Sequence, residues 1–205
     1  SKIAQSNINF QSWSRIDKGL FGRAEINLGD NEIRWSRDDQ QQHLQFGQGQ
    51  LFWSPAPGGN WEMSSNDIQL SSNGGDWPTL NFNLKKQAGM IDLYASQWSV
   101  ARALDLLPLV DIAAAASQAL ADYAPQAQVK DFYVKSRSAD DWQVIGQLEN
   151  LAWNNVTDVP GAKDLNGHFG VAPAAGWINI EGTQGQLLTG ELFKAPIAFE
   201  NFDVE

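Results

Sequence analysis

Most of the chain alternates between apolar and polar residues, which is the two-residue period of a half-buried β-strand. The alternation is regular over Leu20–Leu28 and over Thr79–Lys85, where Leu80, Phe82 and Leu84 occupy every second position. The same kind of pattern predicts strands at Glu32–Arg37, His43–Trp53, Trp61–Ser64, Asp67–Ser71, Met90–Tyr94, Gln128–Val134, Trp142–Trp153, Leu165–Val171, Trp177–Gly182, Gly185–Glu191 and Pro196–Phe202. Because short turn signals separate them, we predict an antiparallel meander with one apolar and one polar face.

One stretch, Ser96–Pro125, has a helical period instead. Its apolar residues recur at steps of three and four, at Leu109, Ile112, Ala113, Ala116 and Leu120. Pro108 fits the first turn of a helix, where its missing N–H costs nothing, so we predict two helices at about Gln97–Leu106 and Pro108–Tyr123. Their apolar stripe is modest, so they should lie against a sheet face or at the end of a sheet.

Two glycine-containing segments predict changes of chain direction. Gly29-Asp30-Asn31 has turn chemistry and predicts a hairpin between Leu20–Leu28 and Glu32–Arg37. Gly47 and Gly49 interrupt the next predicted strand and predict a bend or bulge where the sheet curves sharply. The fold class expected from these patterns is mainly β: an antiparallel, strongly curved and twisted, groove-like sheet with a central helical insertion.

The predicted elements divide the chain into three sections. Residues 1–95 form an N-terminal antiparallel β section, residues 96–125 the helical insertion and residues 126–205 a C-terminal antiparallel β section. The chain opens on Ser1, and Ala195–Glu205 reads as an unfinished strand region. We therefore expect one continuous domain cut from a longer chain.

Charge and composition exclude several classes of function. The net charge is −10 and the 14 Lys and Arg residues are scattered, so nucleic acid is not an expected partner. Cysteine is absent, which excludes disulfides and thiolate metal sites. The most apolar run, Leu104–Ala116, is interrupted by Asp and Pro and is too short to span a bilayer.

Catalytic and metal-binding patterns are weak. His43 and His168 are the only histidines, and neither has a partner at metal-ligand spacing. No GxSxG elbow is present, and the acidic segments, such as Asp38-Asp39 and Asp140-Asp141, fit ordinary turns better than calcium loops. We expect no enzymatic activity, no metal and no cofactor.

Several short landmarks occur in order from about Gly19 to the C-terminus. They are Gly47–Trp53 (GQGQLFW), Trp77-Pro78 (WP), Leu104–Pro108 (LDLLP), Leu151–Trp153 (LAW) with Pro160-Gly161, and Leu165–Gly167 (LNG). In this order they resemble the YhdP branch of the AsmA-like bacterial envelope proteins, and none of them is a catalytic signature.

The resemblance implies a piece of a very long protein of Gram-negative bacteria. Such a protein is held in the inner membrane by an anchor that this sequence lacks, and projects through the periplasm. Its long, twisted, U-shaped sheet would carry phospholipid acyl chains toward the outer membrane. These residues are then expected to be a non-enzymatic section of that conduit, with adjoining segments of the same chain as partners, serving lipid transport and outer-membrane barrier maintenance.

Physical chemistry alone also permits this role, because acyl chains in water need a continuous apolar lane, at about 0.8 kcal/mol per CH₂. The strongest alternations supply the groove candidates Leu44, Phe46, Leu51, Trp53, Leu80, Phe82, Leu84, Ile91 and Leu93. The same residues could instead form the closed core of a β-sandwich.

Two other classes of function remain open. A carbohydrate-binding β-sandwich would use exposed tryptophans, with Trp53, Trp61 and Trp77 near predicted loops as the first candidates. Against this, tryptophan at a strand end often covers a core with its indole N–H bonded to a neighbour. An enzyme would need a polar cleft in which His43 or His168 meets a carboxylate.

Overall fold

The computed structural model describes residues 3–17, 19–37, 40–106, 114–182, 185–189, 196–198 and 202–204. These residues are mainly β, and every strand pairing among them is antiparallel, as predicted. The strands of the first half are β1 (Ile3–Asn7), β2 (Phe10–Asp17), β3 (Leu20–Leu28), β4 (Asn31–Arg37), β5 (Gln40–Gly47), β6 (Gln50–Ala56), β7 (Asn60–Asn66), β8 (Gln69–Ser72), β9 (Gly75–Asp76), β10 (Phe82–Gln87) and β11 (Met90–Ser99).

Two helices and the remaining strands follow. The helices are α1 (Val100–Leu104) and α2 (Ala114–Tyr123). The strands are β12 (Gln126–Ser138), β13 (Asp141–Trp153), β14 (Gly161–Ala172), β15 (Ala175–Gly182), β16 (Gln186–Leu188), β17 (Ile197–Ala198) and β18 (Phe202–Val204).

The strands form two sheets, and neither closes on itself within the described residues. The large sheet has thirteen strands in the order β17-β16-β14-β13-β12-β11-β10-β7-β6-β3-β2, with β15 between β14 and β18. The small sheet has five strands in the order β1-β4-β5-β8-β9. Four strands of the small sheet are consecutive in sequence with four strands of the large sheet: β1 with β2, β4 with β3, β5 with β6 and β8 with β7. The strand order is therefore the same in this part of both sheets.

The chain passes between the two sheets five times from β1 to β10. Three of these passages are neighbouring bends, which together we call the crease: Gly29-Asp30, Gln48-Gly49 and Asp67-Ile68. The predicted hairpin at Gly29-Asp30-Asn31 is therefore wrong. Strand β4 pairs with β1 and β5 rather than with β3, and the chain continues from one sheet into the other. The bend predicted at Gly47 and Gly49 is confirmed.

Backbone geometry at the crease explains why these residue types occupy it. Gln48 and Asp67 have left-handed φ angles of 52° and 51°, and they lie where β5 gives way to β6 and β7 to β8. A Cβ atom at Gly49 would lie 2.8 Å from the Cα atom of Ile68, and one at Gly47 would lie 2.6 Å from the carbonyl oxygen of Gly29. Only glycine lets the neighbouring backbones approach this closely.

Bulges occur in the second half of the large sheet. Asp131 in β12, Asn150 in β13 and Asp164 in β14 have φ angles of 46°, 54° and 58°. The pairing register shifts beside each of them. Since Asp and Asn tolerate left-handed backbone better than most residues, these positions bend successive strands at low cost.

Helix α1 packs on the large sheet, and the residue that follows it forms a hydrogen bond to the small sheet. The Ser99 hydroxyl caps it by accepting a hydrogen bond from the Arg102 N–H at 3.4 Å, and the helix packs on β11 and β12. Just beyond α1, Asp105 Oδ2 accepts a hydrogen bond from Ser72 Oγ of the small sheet at 2.9 Å. Ser72 in turn accepts the indole N–H of Trp77 at 2.9 Å.

The first helix is shorter than predicted, and the second ends at Tyr123 as predicted. Residues 97–99 belong to β11 and not to the first helix, and the second helix is helical from Ala114. Residues 107–113, which include the predicted start at Pro108, lie outside the described residues.

Candidate functional site

Directly opposed residues in an antiparallel pair share one face of a sheet, so the register defines the faces. One row crosses the large sheet through Trp53, Met63, Leu84, Leu93, Val134 and Val144. A second row on the same side contains Leu51, Phe82, Ala95 and Phe132, and Ile91 lies two residues before Leu93. We call the side defined by these eleven residues the apolar face.

Six of the nine predicted groove residues belong to the apolar face: Leu51, Trp53, Phe82, Leu84, Ile91 and Leu93. The other three lie elsewhere. Leu44 and Phe46 are in β5 of the small sheet, opposite Ile33 and Asn31. Leu80 forms an isolated bridge with Ile68 beside the crease. A role of any of these residues in binding lipid stays a prediction.

The apolar face is incompletely covered. Ala95 is buried, but the ten larger side chains of this face are only half-buried. The chain exposes 13232 Å² of accessible surface. A compact monomer of this mass would expose about 9,500 Å². The sheets are not closed within the described ranges, so this part of the chain does not have the closed core of a β-sandwich.

The apolar face continues into a concavity beside α1. The concavity has a volume of about 480 Å³, within the range of small-molecule pockets. It is lined by Trp98, Val100, Val129, Leu148, Phe169, Val171, Gly176, Trp177 and Ile178. Trp98 packs edge-to-face on Phe132 of the apolar face, with ring centroids 5.5 Å apart.

Sequence reasoning missed this concavity. Leu148, Phe169 and Val171 alternate with polar or small residues in predicted strands, so their side of the strand was visible in the pattern. Their approach to Trp98 was not, because it depends on β11, β12, β13 and β14 being consecutive in the sheet. Glycine at position 146 leaves room for the Phe169 ring, since a Cβ atom there would lie 2.9 Å from Phe169 Cε1.

A family model described as the YhdP protein matches residues 1–205. The chain belongs to the YhdP family. This is a family of bacterial envelope proteins, and the match confirms the resemblance seen in the sequence landmarks. Searches of curated proteins and of solved structures found no match to the chain.

The opposite face of this YhdP-family sheet carries a row of charged residues, beside a row that contains Tyr94, Tyr133 and Ile145. Glu62, Lys85, Asp92 and Lys135 form one row across β7, β10, β11 and β12. Lys85 Nζ lies 3.3 Å from Glu62 Oε1, and Asn83 Nδ2 donates to the same oxygen at 2.7 Å. The hydrogen bond from Asn83, followed by that from Lys85, holds the pKa of Glu62 below its usual value against the opposing effect of burial. The alternation therefore places the charged residues of these strands on the side away from the apolar face.

The lowered pKa of Glu62 predicts a weak acid sensitivity. A depressed carboxyl pKa contributes stability that is present above the unfolded-state value of about 4.3 and is lost as pH falls through the lower folded-state value. We expect Glu62→Gln to reduce the loss of unfolding free energy between about pH 5 and pH 3. The effect should stay below about 1 kcal/mol because both partners are about half exposed. Urea unfolding at several pH values tests this, and an acid sensitivity identical in the two proteins would contradict it.

The two histidines lie in different sheets, and His168 lines a polar concavity of about 350 Å³ together with Glu149 and Glu181. His43 is in the small sheet opposite Arg34, and His168 is in the large sheet opposite Gln147 and Asn179. Among the described residues no group of three or more His, Cys, Asp or Glu side chains could hold a metal ion. Within the same residues, neither helix has the length and apolar character needed to cross a bilayer.

The three tryptophans of the carbohydrate alternative do not form one solvent-facing row. Trp61 lies opposite Pro55, two residues from Trp53 in the register, so both are on the apolar side of the sheet. Trp77 is half-buried and its indole N–H is bonded to Ser72. Trp77 therefore has the covering role that is common for tryptophan at strand ends.

Proposed function

We propose that this chain is a non-enzymatic section of a lipid conduit in the periplasm, where its apolar face holds phospholipid acyl chains during transport between the inner and outer membranes. This role would contribute to maintaining the outer-membrane barrier. The observation that carries the proposal is the row from Trp53 to Val144, which is apolar across six strands and half-exposed.

Energetics support an acyl chain as the occupant of this face. Each CH₂ transferred from water to an apolar surface contributes about 0.8 kcal/mol, so a lane several strands wide can offset much of the exposure of a lipid tail. Neighbouring strands are about 4.8 Å apart, so a row across six strands extends roughly 24 Å. This length approaches the roughly 30 Å thickness of a bilayer's hydrocarbon core.

The polar side of the sheet supports the same assignment. Glu62, Lys85, Asp92 and Lys135 would face water while the tail lies on the other side. No positioned acid, base or nucleophile is needed for such a role. In a longer chain, an inner-membrane anchor and adjoining segments would extend the lane to both membranes, and these too belong to the proposal.

Two adjacent residues of β10 provide a matched test. The chain contains no cysteine, so single cysteines at Leu84→Cys and Lys85→Cys can each carry an environment-sensitive fluorophore. Leu84 lies on the apolar face, whereas Lys85 points to the polar side. We expect a phosphatidylethanolamine with a nitroxide on its acyl chain to quench the label at position 84 at least three-fold more than the label at position 85.

The controls separate lipid binding from general association. Unlabelled phosphatidylethanolamine should reverse the quenching by competition, whereas a neutral oligosaccharide should not. Equal quenching at the two positions, or none at position 84, would overturn the proposal. Displacement of the lipid by the oligosaccharide would favour the carbohydrate alternative instead.

A further inference from the structure

A second concavity lies on the side of the large sheet away from the apolar face, over strands β10 to β13. Its volume is about 590 Å³, within the range of small-molecule pockets. Each of these four strands is paired on both sides, so the floor of the concavity is continuous sheet. We call it the tyrosine site, and two neighbouring rows of the register supply its side chains: Lys85, Asp92, Lys135 and Gln143 in one, and Asn83, Tyr94, Tyr133 and Ile145 in the other.

Two tyrosines form the apolar part of the tyrosine site. The ring centroids of Tyr94 and Tyr133 are 4.8 Å apart and the rings are tilted by 47°. Tyr133 is 49% exposed, and Ile145, which is opposite it in the register, is 38% exposed. Contiguous apolar surface is therefore open to solvent beside a row of charged residues. An exposed apolar patch with a polar rim is typical of a binding site.

A bulge fixes the position of the Tyr94 ring. Asp131 has a left-handed φ angle, and the register of β12 shifts beside it. Its Oδ1 accepts a hydrogen bond from the Tyr94 hydroxyl at 3.1 Å, and its Oδ2 accepts one from Gln147 Nε2 at 3.3 Å. Burial, followed by the hydrogen bond to Asp131, raises the pKa of Tyr94 above its usual value, so its phenol stays protonated at neutral pH. The tyrosine pair is thus held in place and uncharged.

The polar rim of the tyrosine site is balanced in charge. The row across β7, β10, β11 and β12 alternates in sign, from Glu62 and Lys85 to Asp92 and Lys135. This balance favours a neutral ligand over an anion or a cation. Asp92 Oδ1 is buried without a hydrogen-bond partner among the described residues, and the Gln143 side chain is exposed. Lysine ammonium groups donate, the carboxylate accepts and the amide does both, so the rim suits a ligand rich in hydroxyl groups.

We propose that the tyrosine site binds a neutral saccharide. A sugar ring has an apolar C–H face that can pack on Tyr133, and its hydroxyls both donate and accept hydrogen bonds at the rim. A hydroxyl that enters between the two lysine side chains would also pair with Asp92 Oδ1, which removes the cost of an unsatisfied acceptor. Trp53 and Trp61 lie on the other side of the sheet, so this site is distinct from the tryptophan site of the carbohydrate alternative.

Calorimetric titration of the lipid-free protein tests the proposal with two neutral probes, chitotetraose and maltotetraose. We expect saturable binding of at least one of them, with a Kd below about 1 mM. Tyr133→Ala removes the platform and should weaken this binding by at least about ten-fold, because tyrosine is a residue on which binding energy is often concentrated. Tyr133→Phe keeps the ring and should bind within about two-fold of the unchanged protein.

Trp13→Ala is the matched control, since Trp13 is a similarly exposed aromatic residue, at 54%, outside the tyrosine site. Its affinity for the tetrasaccharide should be unchanged. Gln143→Ala covers the case in which Tyr133→Ala fails to fold, and we expect it to bind at least about three-fold more weakly. Absence of binding by the unchanged protein, or binding insensitive to both site variants, would overturn the proposal. The titration contains no lipid, so its outcome is independent of the proposed function.

Discussion

Replacing Asn31 with alanine should destabilise the chain by about 2–4 kcal/mol, since it removes three hydrogen bonds to backbone groups at the crease. Asn31 is 3% exposed. Its Oδ1 accepts from the Asn9 N–H at 2.6 Å, and its Nδ2 donates to the carbonyls of Gly29 at 2.7 Å and Phe46 at 3.1 Å. One side chain thus links three neighbouring strands where they pass between the sheets.

Urea unfolding measured by tryptophan fluorescence gives the required free energies. Asn66→Ala is the matched control, because Asn66 is exposed at the end of β7, and we expect a change within about 0.5 kcal/mol. Asn31→Asp separates accepting from donating, since a carboxylate can accept from Asn9 but cannot donate to the two carbonyls. A cost for Asn31→Ala no larger than that for Asn66→Ala would show that the crease does not depend on this side chain.

The sequence predicts the strand before the crease but not the path of the chain through it. The bounds of β3 were predicted as Leu20–Leu28 because alternation is a local signal. The next three residues have hairpin chemistry, yet the chain runs on into the small sheet. The deciding interactions are the hydrogen bonds of Asn31 to residues 22 and 15 positions away, which no local pattern contains.

For the apolar face, the sequence predicts which residues of one strand share a side, but not which strands share a sheet. Alternation identified which residues of a strand share a side, and it selected six that the structure brings onto one face. It could not show that Leu44 and Phe46 belong to a different sheet. The division between the sheets lies at residues such as Gln48 and Asp67, whose left-handed backbone separates consecutive strands and which are not distinctive in sequence.

The start of the first helix was predicted too early for a related reason. The cap of α1 is Ser99, and the three residues before α1 continue β11 because they pair with β12. Pairing with a neighbouring strand overrode a weak helical preference in this segment. The concavity beside α1 follows from that extension, because it brings Trp98 opposite Val129.

Replacing Trp35 with alanine should cost about 3–5 kcal/mol, the usual range for a large aromatic side chain in a core. Trp35 is completely buried in β4 of the small sheet, and Leu165 and Val129 are the other large apolar residues below 2% exposure within the described part of the chain. A domain is stable by only about 5–15 kcal/mol in total. With so few fully buried residues, losing Trp35 should remove a large share of the stability.

Trp35→Phe distinguishes packing from hydrogen bonding. The indole N–H of Trp35 finds no acceptor among the described residues, so phenylalanine removes an unsatisfied donor while filling most of the space. We expect a cost of about 1 kcal/mol for this variant, compared with about 3–5 kcal/mol for alanine, in urea unfolding. Equal costs for the two variants would contradict the assignment, because they would show that the nitrogen, and not the volume of the ring, stabilises the small sheet.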